Sequence, residues 1–478
     1  MIKNIKYNKT KIIATIGPAT SSVPNLKKII KAGVDVCRIN FSHGDWDTHK
    51  KSLINIRQAN KELNTHVAIL ADLQGPKLRI GEVKDNEMLL KKGNIVTLTT
   101  VPALSEGDTI YVKYSTLARD VRVGERVLLD DGKLELEFTQ RIDKSTVKAR
   151  VINGGVLSSN KGFNLPSSAL SVDSLTKKDR EDLKFILEND FDWIALSFVR
   201  EADDIIQLRK ILKKNENDAR IIAKIEKPQA VANLDEIIGV TDAIMVARGD
   251  LGVEMPMEQV PMIQKRIVTK CIEASKPVII ATQMMESMIS SPTPTRAEAN
   301  DVANAVMDGA DAVMLSAETS VGLYPIKTVE AVERILASTE LGWDVYNKFK
   351  EPDPTSKSFL SDEICYATVT MSKAISAKAI LSMTQTGYTA YKIASGRPNC
   401  DIFVFTANKK LLARISLLWN VRAYYYDGRS NTDDTVVDAI SILKEEKLLK
   451  RGDVVINTAA MPAKDNGKTN TLKISTVK

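Results

Sequence analysis

Cysteine is scarce in this chain of 478 residues: there are four, Cys37, Cys271, Cys365 and Cys400, and none forms a CxxC pair. That spacing argues against a disulfide framework and against a zinc finger, and predicts four reduced thiols acting as small apolar side chains. Aromatic residues are sparse too, at 5%, which disfavours the stacking platforms that hold single-stranded nucleic acid. No block of five or six like charges appears, so a basic nucleic-acid tail is not expected. No apolar run is long enough to span a bilayer. The segment Met1-Ile-Lys-Asn-Ile-Lys-Tyr7 carries charge with no apolar stretch behind it. No secretory signal is therefore expected, and the default location is the cytoplasm.

What the chain does have is ordinary globular material. Hydrophobic residues make up 44% and charged residues 27%, enough for large cores, and the length suggests roughly three domains. Lys+Arg 67 against Asp+Glu 60 leaves +7, a weak basic bias that suits small anionic substrates.

Rhythm is the most informative feature. Short runs rich in Val, Ile and Ala recur at 11–16, 34–39, 67–72, 193–198, 220–225, 242–247, 277–282 and 311–316. Each is nearly continuous in hydrophobicity and reads as a strand buried on both faces. Helical patterns lie between them. One opens near Pro24 with Ser22 as its cap, and another opens at Thr176-Lys-Lys-Asp179 in capping-box style with Asp in place of Glu. Eight strand–helix units in one series predict a (β/α)8 TIM barrel, an α/β fold, over 1–74 and 171–345.

The rhythm breaks between 75 and 170. That stretch alternates polar and apolar residues (Ile95–Thr99, Arg126–Asp130, Thr146–Val151) and turns at Asp131-Gly132 and Asn153-Gly154-Gly155. Roughly 95 residues cannot be a structureless loop, so an inserted small β-barrel lid domain is expected. It would stand over the catalytic end of the larger barrel, where βα loops emerge. Glu351-Pro-Asp-Pro354 fits a linker. Five further strands follow at 379–384, 401–406, 421–427, 453–459 and 471–477, predicting a C-terminal α/β sheet domain over 355–478.

In a barrel, chemistry sits at the C-terminal ends of the strands. Those ends carry Arg38, Asn40, Ser42 and His43 after the second strand, and Asp72 after the third. The fifth contributes Lys224 and Glu226, the sixth Arg248, Gly249 and Asp250, the seventh Thr282, and the eighth Ser316 and Glu318. Glu226 and Asp250 end adjacent strands about 5 Å apart, so both carboxylates can reach one divalent cation. Lys224 lies two residues before Glu226, on the same side. Arg38 offers a fork suited to phosphate. Taken singly, each of these has a plainer reading as a solvated charge, a turn or a helix cap. Their joint placement at six strand ends points to phosphoryl transfer.

At these residues the sequence resembles the pyruvate kinase family along essentially its whole length. The resemblance is carried by Thr15-Ile-Gly-Pro18-Ala, Cys37-Arg-Ile-Asn-Phe-Ser-His-Gly44, Lys161-Gly-Phe-Asn-Leu-Pro166, Ala223-Lys-Ile-Glu226, Ala247-Arg-Gly-Asp-Leu-Gly252, Ala281-Thr-Gln-Met-Met-Glu-Ser-Met288 and Met314-Leu-Ser-Ala-Glu-Thr319. It implies transfer of the phosphoryl group of phosphoenolpyruvate to ADP, giving ATP and pyruvate, the last step of glycolysis, in a cytoplasmic, allosteric homotetramer. By the same resemblance Glu226 and Asp250 hold Mg²⁺ (or Mn²⁺), Lys224 neutralises the group in flight, and Arg38 clamps phosphate. Arg248, Gly249 and Thr282 cradle the substrate carboxylate. Thr282, Ser316 and Glu318 form the path that protonates the enolate, and His43, Arg79 and Lys161 face the nucleotide.

One departure matters. Where many members read Asp-Thr-Lys-Gly-Pro-Glu, this chain reads Asp72-Leu73-Gln74-Gly75-Pro76-Lys77. The family's monovalent-cation site matches Asn40, Ser42, Asp72 and the carbonyl of Leu73. A lysine in place of the glutamate resembles the potassium-independent branch, because the Lys77 ammonium can supply that charge; K⁺ is therefore not expected to be required. A phosphorylated effector is expected at Thr384-Gln385-Thr386-Gly387-Tyr388-Thr389, where hydroxyls, a glycine and a helix start make a phosphate nest. The late loop Met461-Pro-Ala-Lys-Asp-Asn-Gly467-Lys-Thr is less glycine-rich than in fructose-bisphosphate-activated members, so a sugar monophosphate or AMP is as plausible. Neither nucleic acid nor membrane is expected as a partner. Two other readings stay open: a Mg²⁺-dependent aldolase or lyase with Lys224 as a Schiff-base residue, and a non-catalytic metabolite- or RNA-binding relative.

Overall fold

The computed structural model describes residues 6–166, 168, 171–342, 350–428, 432–461 and 468–478. Eight parallel strands close into a barrel in chain order: Lys11–Thr15, Val36–Asn40, Ala68–Asp72, Trp193–Leu196, Arg220–Ile225, Ala243–Ala247, Val278–Ala281 and Ala312–Leu315. The first and eighth pair in parallel, Lys11 opposite Ala312, and this closes the ring. These are the eight apolar runs of the sequence, with bounds that differ by at most two residues at either end. Helix starts follow the local chemistry. Ser22 Oγ accepts from the backbone of Asn25 at the head of helix Val23–Ala32, and Thr176 and Asp179 form a reciprocal capping box on helix Lys177–Glu188.

Side-chain alternation sorts the barrel into two cores. Ile13, Val36, Ala68, Leu70, Trp193, Ala195, Ile222, Met245, Ile279 and Met314 fill the interior. Their neighbours Ile12, Cys37, Ile69, Ile194, Ile221 and Ile280 pack outward against the helices. Continuing the inward phase by one step reaches Thr15, Arg38, Asp72, Ser197 and Lys224, so an apolar barrel ends in a polar layer.

The insert is mostly β, with one short α-helix at Leu117–Asp120. A six-stranded sheet, with a separate two-stranded ribbon, surrounds Leu98, Ile110, Val127, Leu136, Phe138 and Phe163. Arg79 bridges to Gly162 beside one edge of the sheet, and Ile80 bridges to Val112 beside the other, so one short segment ties the two edges together.

The C-terminal region folds as a five-stranded sheet. Four strands are parallel, Ala379–Met383, Asp401–Thr406, Val421–Tyr425 and Val454–Ala459, and Thr471–Thr476 closes one edge antiparallel. This unit seals the floor of the barrel. Leu417 joins the interior core, and the Trp193 indole donates to the carbonyl of Arg414 at 3.3 Å. All four cysteines are free thiols. No helix among the described residues is long and apolar enough to cross a membrane.

Candidate active site

The polar layer is a chain of contacts around the barrel mouth. Arg38 Nε donates to Asp72 Oδ2 at 2.6 Å, and its NH1 donates to Thr15 Oγ1 at 2.8 Å. The Lys224 ammonium lies 3.2 Å from Asp72 Oδ1 and 3.0 Å from Glu226 Oε1, and donates to Ser197 Oγ at 2.7 Å. All of these side chains are buried or nearly so. Burial works to raise the carboxyl pKa of Asp72, but Lys224 and Arg38 outweigh it and hold the group below its ordinary value. Burial works to lower the pKa of Lys224, and Asp72 and Glu226 outweigh that, so it stays an ammonium. A clamped ammonium is not the neutral amine that a Schiff base requires.

Glu226 behaves differently. Burial pushes its carboxyl pKa up, the Lys224 ammonium pulls it down, and the negative charge of Asp250 adds to the rise. Its Oε2 accepts from the backbone of Phe198 at 2.6 Å, while its buried Oε1 pairs with the Lys224 ammonium at 3.0 Å. A buried carboxylate under the field of a second one is a donor set that fits a divalent cation. Among the described residues no three His, Cys, Asp or Glu side chains cluster as a metal cage. Such an ion would therefore draw its other ligands from substrate and water, the habit of Mg²⁺.

The sixth and seventh strand ends meet. Gly249 N donates to Thr282 Oγ1 at 2.7 Å, and the Arg248 guanidinium donates to the carbonyl of Thr282 at 2.8 Å and to Asp301 at 2.7 Å. Thr282 and Gln283 hold positive φ, 69° and 55°. That is strained for a β-branched residue and persists because both neighbours grip it. A Cβ on Gly249 would stand 3.3 Å from Thr282 Oγ1. The Glu318 carboxylate accepts from the backbone of Ser316 at 2.6 Å and of Met285 at 3.2 Å. It braces the seventh and eighth loops, and neither it nor Ser316 hydrogen-bonds Thr282.

Of the expected nucleotide contacts, two are neighbours on the insert and one lies on the barrel. His43 is exposed on the loop after the second strand. Arg79 and Lys161 lie on the insert, where Arg79 donates to the carbonyl of Asn160 at 3.0 Å and Lys161 pairs with Asp130 at 2.8 Å. The loop after the third strand turns at Gly75, φ 68°, where a Cβ would stand 2.8 Å from that of Ser197. Beyond that turn Lys77 Nζ reaches Asp250 Oδ1 at 3.3 Å. The expectation set this ammonium beside Asn40, Ser42, Asp72 and the carbonyl of Leu73. Within that group Asn40 Oδ1 accepts from Ser42 N at 3.1 Å, and the carbonyl of Leu73 accepts from Ser197 Oγ at 2.7 Å.

Sequence reasoning by strand ends passed over Thr15 and Ser197. The available signal was a single polar residue closing an apolar run, as in Trp193-Ile-Ala-Leu-Ser197.

In the C-terminal unit a cavity of about 440 Å³ is lined by Thr384, Gln385, Thr386, Tyr388 and Thr389 together with Phe405, Tyr426 and Lys468. Thr384 Oγ1 accepts from Gly387 N at 3.0 Å, and Gly387 has φ 83° where a Cβ would stand 2.8 Å from Leu411. The late loop singled out in the sequence lies outside the described residues over 462–467.

Fold and site together define a phosphotransferase built on a TIM-type barrel. Residues 7–329 match the family described as pyruvate kinase, barrel domain, and residues 362–475 match pyruvate kinase, alpha/beta domain. The chain is 40% identical over 472 residues to a pyruvate kinase of Geobacillus stearothermophilus and 39% identical over 471 residues to one of Sporosarcina psychrophila, in each case covering 98% of this chain and 80% of the relative. A solved pyruvate kinase from Cryptosporidium parvum superposes with a TM-score of 0.92 at 35% identity, covering 100% of this chain and 97% of that one. The chain belongs to the pyruvate kinase family.

Proposed function

We propose that the chain transfers the phosphoryl group of phosphoenolpyruvate to ADP, giving ATP and pyruvate. The observation that carries this reading is the Lys224 ammonium, held between Asp72 and Glu226 at the barrel mouth with Arg38 beside it. Two fixed cations around one point suit the charge that spreads over phosphoryl oxygens in flight. An oxygen of the ADP terminal phosphate attacks phosphorus, the bond to the enol oxygen breaks, and an enolate remains. Lys224 stays protonated throughout and balances the moving charge. The backbone at Arg248 and Gly249 and the Thr282 hydroxyl hold the substrate carboxylate. The Thr282–Ser316–Glu318 region delivers a proton to the enolate carbon, completing pyruvate.

Glu226 and Asp250 would hold Mg²⁺ or Mn²⁺, which when bound supplies Lewis-acid stabilisation of the phosphoryl oxygens. His43, Arg79 and Lys161 serve the nucleotide, the last two from the insert as it closes over the mouth and excludes water. Lys77 makes added K⁺ unnecessary by supplying positive charge at the mouth, with Asn40, Ser42, Asp72 and Leu73 as the site it replaces. The Thr384–Thr389 loop takes a phosphorylated effector, and the aromatic rings of Phe405 and Tyr426 admit a nucleoside monophosphate as readily as a sugar phosphate. We further read three units, 1–74 with 171–345, 75–170, and 355–478, in a cytoplasmic homotetramer.

The test is pyruvate formation from phosphoenolpyruvate, ADP and Mg²⁺ in buffer free of small monovalent cations, repeated with K⁺. Equal turnover supports both phosphoryl transfer and the Lys77 reading. Turnover only with K⁺ keeps the first and removes the second, and none in either buffer sinks both.

A further inference from the structure

Two contacts of the insert fall on one face of one short helix. Lys77, on the chain leaving the barrel, reaches Asp250, and Asn164, on the insert's edge strand, donates from Nδ2 to Glu254 Oε1 at 2.7 Å. Asp250 and Glu254 are four residues apart on helix Arg248–Glu254, hence neighbours on its surface. Glu254 is buried; its Oε1 also accepts from Lys227, the residue next to Glu226, and its Oε2 accepts nothing. These two contacts of the insert and both carboxylates suited to a divalent cation therefore meet on this helix and the loop beside it.

The two contacts differ in kind. Lys77 and Asp250 are each about a third exposed in their side chains, at 32% and 28%, so their pairing is weak and exchangeable. A cation at Asp250 competes with the Lys77 ammonium for the same oxygen by charge alone. Asn164 is half-buried where it meets the buried Glu254, and Glu254 is held there by Lys227 whatever occupies Asp250.

We propose that Lys77 and Asn164 are positioning residues that couple the insert to the metal carboxylates. Divalent metal and Lys77 exclude each other at Asp250, and the Asn164–Glu254 bond keeps the insert seated on the helix once Lys77 is released. This rests on the reading of Glu226 and Asp250 as metal ligands. By linkage, whatever removes the Lys77 contact tightens metal binding, and metal binding loosens one tie of the insert.

The experiment uses Mn²⁺ alone, without nucleotide or phosphoenolpyruvate, with affinity read by electron paramagnetic resonance and insert seating by hydrogen–deuterium exchange over 75–166. Lys77→Met is expected to bind Mn²⁺ three- to tenfold more tightly, and Lys77→Arg, which keeps the charge, to bind as the parent does. Asn164→Ala is expected to exchange near the parent rate without Mn²⁺ and at least fivefold faster with saturating Mn²⁺, whereas the parent changes less than twofold. Lys77→Met binding Mn²⁺ no more tightly than the parent, or Asn164→Ala exchange indifferent to Mn²⁺, overturns the coupling. A parent protein that binds no Mn²⁺ overturns the metal reading itself and the coupling with it. Turnover enters neither readout.

Discussion

Lys224 is the residue where charge and burial conflict most sharply, and its replacement separates binding from chemistry. Lys224→Ala leaves Asp72 and Glu226 facing a void. We expect phosphoenolpyruvate affinity to change by only a few-fold, since Arg38 and the Gly249 backbone remain, while kcat falls by about a hundred- to a thousandfold. Initial rates with direct binding measurements check this, and near-normal turnover ends the assignment. The same variant should melt several degrees lower, because two buried carboxylates lose their common cation. Lys77→Glu, which places a carboxylate near Asp250, is expected to create a dependence on K⁺ of at least about tenfold, read as the ratio of turnover with and without K⁺; a ratio near one removes the Lys77 argument. At this scale the sequence was legible where chemistry follows from spacing. Lys224 and Glu226, two apart on a strand, had to share a side. The pairing of Lys77 with Asp250 was not legible, because 173 residues separate them and the turn at Gly75 sets the direction of approach.

Among the elements, helix Lys177–Glu188 shows how a local cap takes on a tertiary task. Asp179 accepts from the backbone and hydroxyl of Thr176, and its other oxygen accepts from Gly75 N at 3.1 Å, at the root of the insert. The cap was readable in Thr176-Lys-Lys-Asp179; the bond to Gly75 depends on where the third strand delivers the chain. Asp179→Ala is expected to cost about 1–3 kcal/mol of stability by chemical denaturation, and a loss below a few tenths contradicts this account of the site. Asp192, just before the fourth strand, accepts from Ile69 N at 2.8 Å, and burial pushes its carboxyl pKa up to about 6, against the pull of Arg414 and Arg57. The folded value lies above the unfolded one of about 3.9. Its contribution to stability is therefore complete below about pH 4 and is lost as pH rises through 6. Asp192→Asn keeps the acceptor and removes the titration. The variant should match the parent near pH 4 and exceed it at pH 7.5 by about 1–3 kcal/mol. Melting curves at the two pH values test the sign, and a parent that is the more stable at pH 7.5 reverses it.

Over the whole molecule, the C-terminal unit acts as the floor of the barrel as well as a neighbour. Arg397 is buried at the junction, paired with Asp311 at 2.9 and 3.1 Å, bonded to the carbonyl of Gly309 and placed over the Trp419 ring. Leu417 fills the interior beneath Trp193. Leu417→Ala should cost about 2–5 kcal/mol and melt the barrel together with the C-terminal sheet, which calorimetry would resolve; two separated transitions with the barrel unaffected would show that the floor is passive. At this scale the sequence by itself determined the eight apolar runs, their alternation, and with it the polar layer one step beyond the interior core, because a period of two along a strand needs no partner to be read. It also determined the mostly β character of the insert and the five later strands. Only the tertiary structure decided which groups meet across that layer: Thr15 with Arg38, Arg38 with Asp72, Asp72 with Lys224. It likewise decided that Arg79 and Ile80 tie the edges of the insert, that Lys77 and Asn164 share one helix, and that Leu417 plugs the barrel. These contacts rest on strand stagger, barrel closure and turn dihedrals, which join residues far apart in the chain and leave no trace in local periodicity.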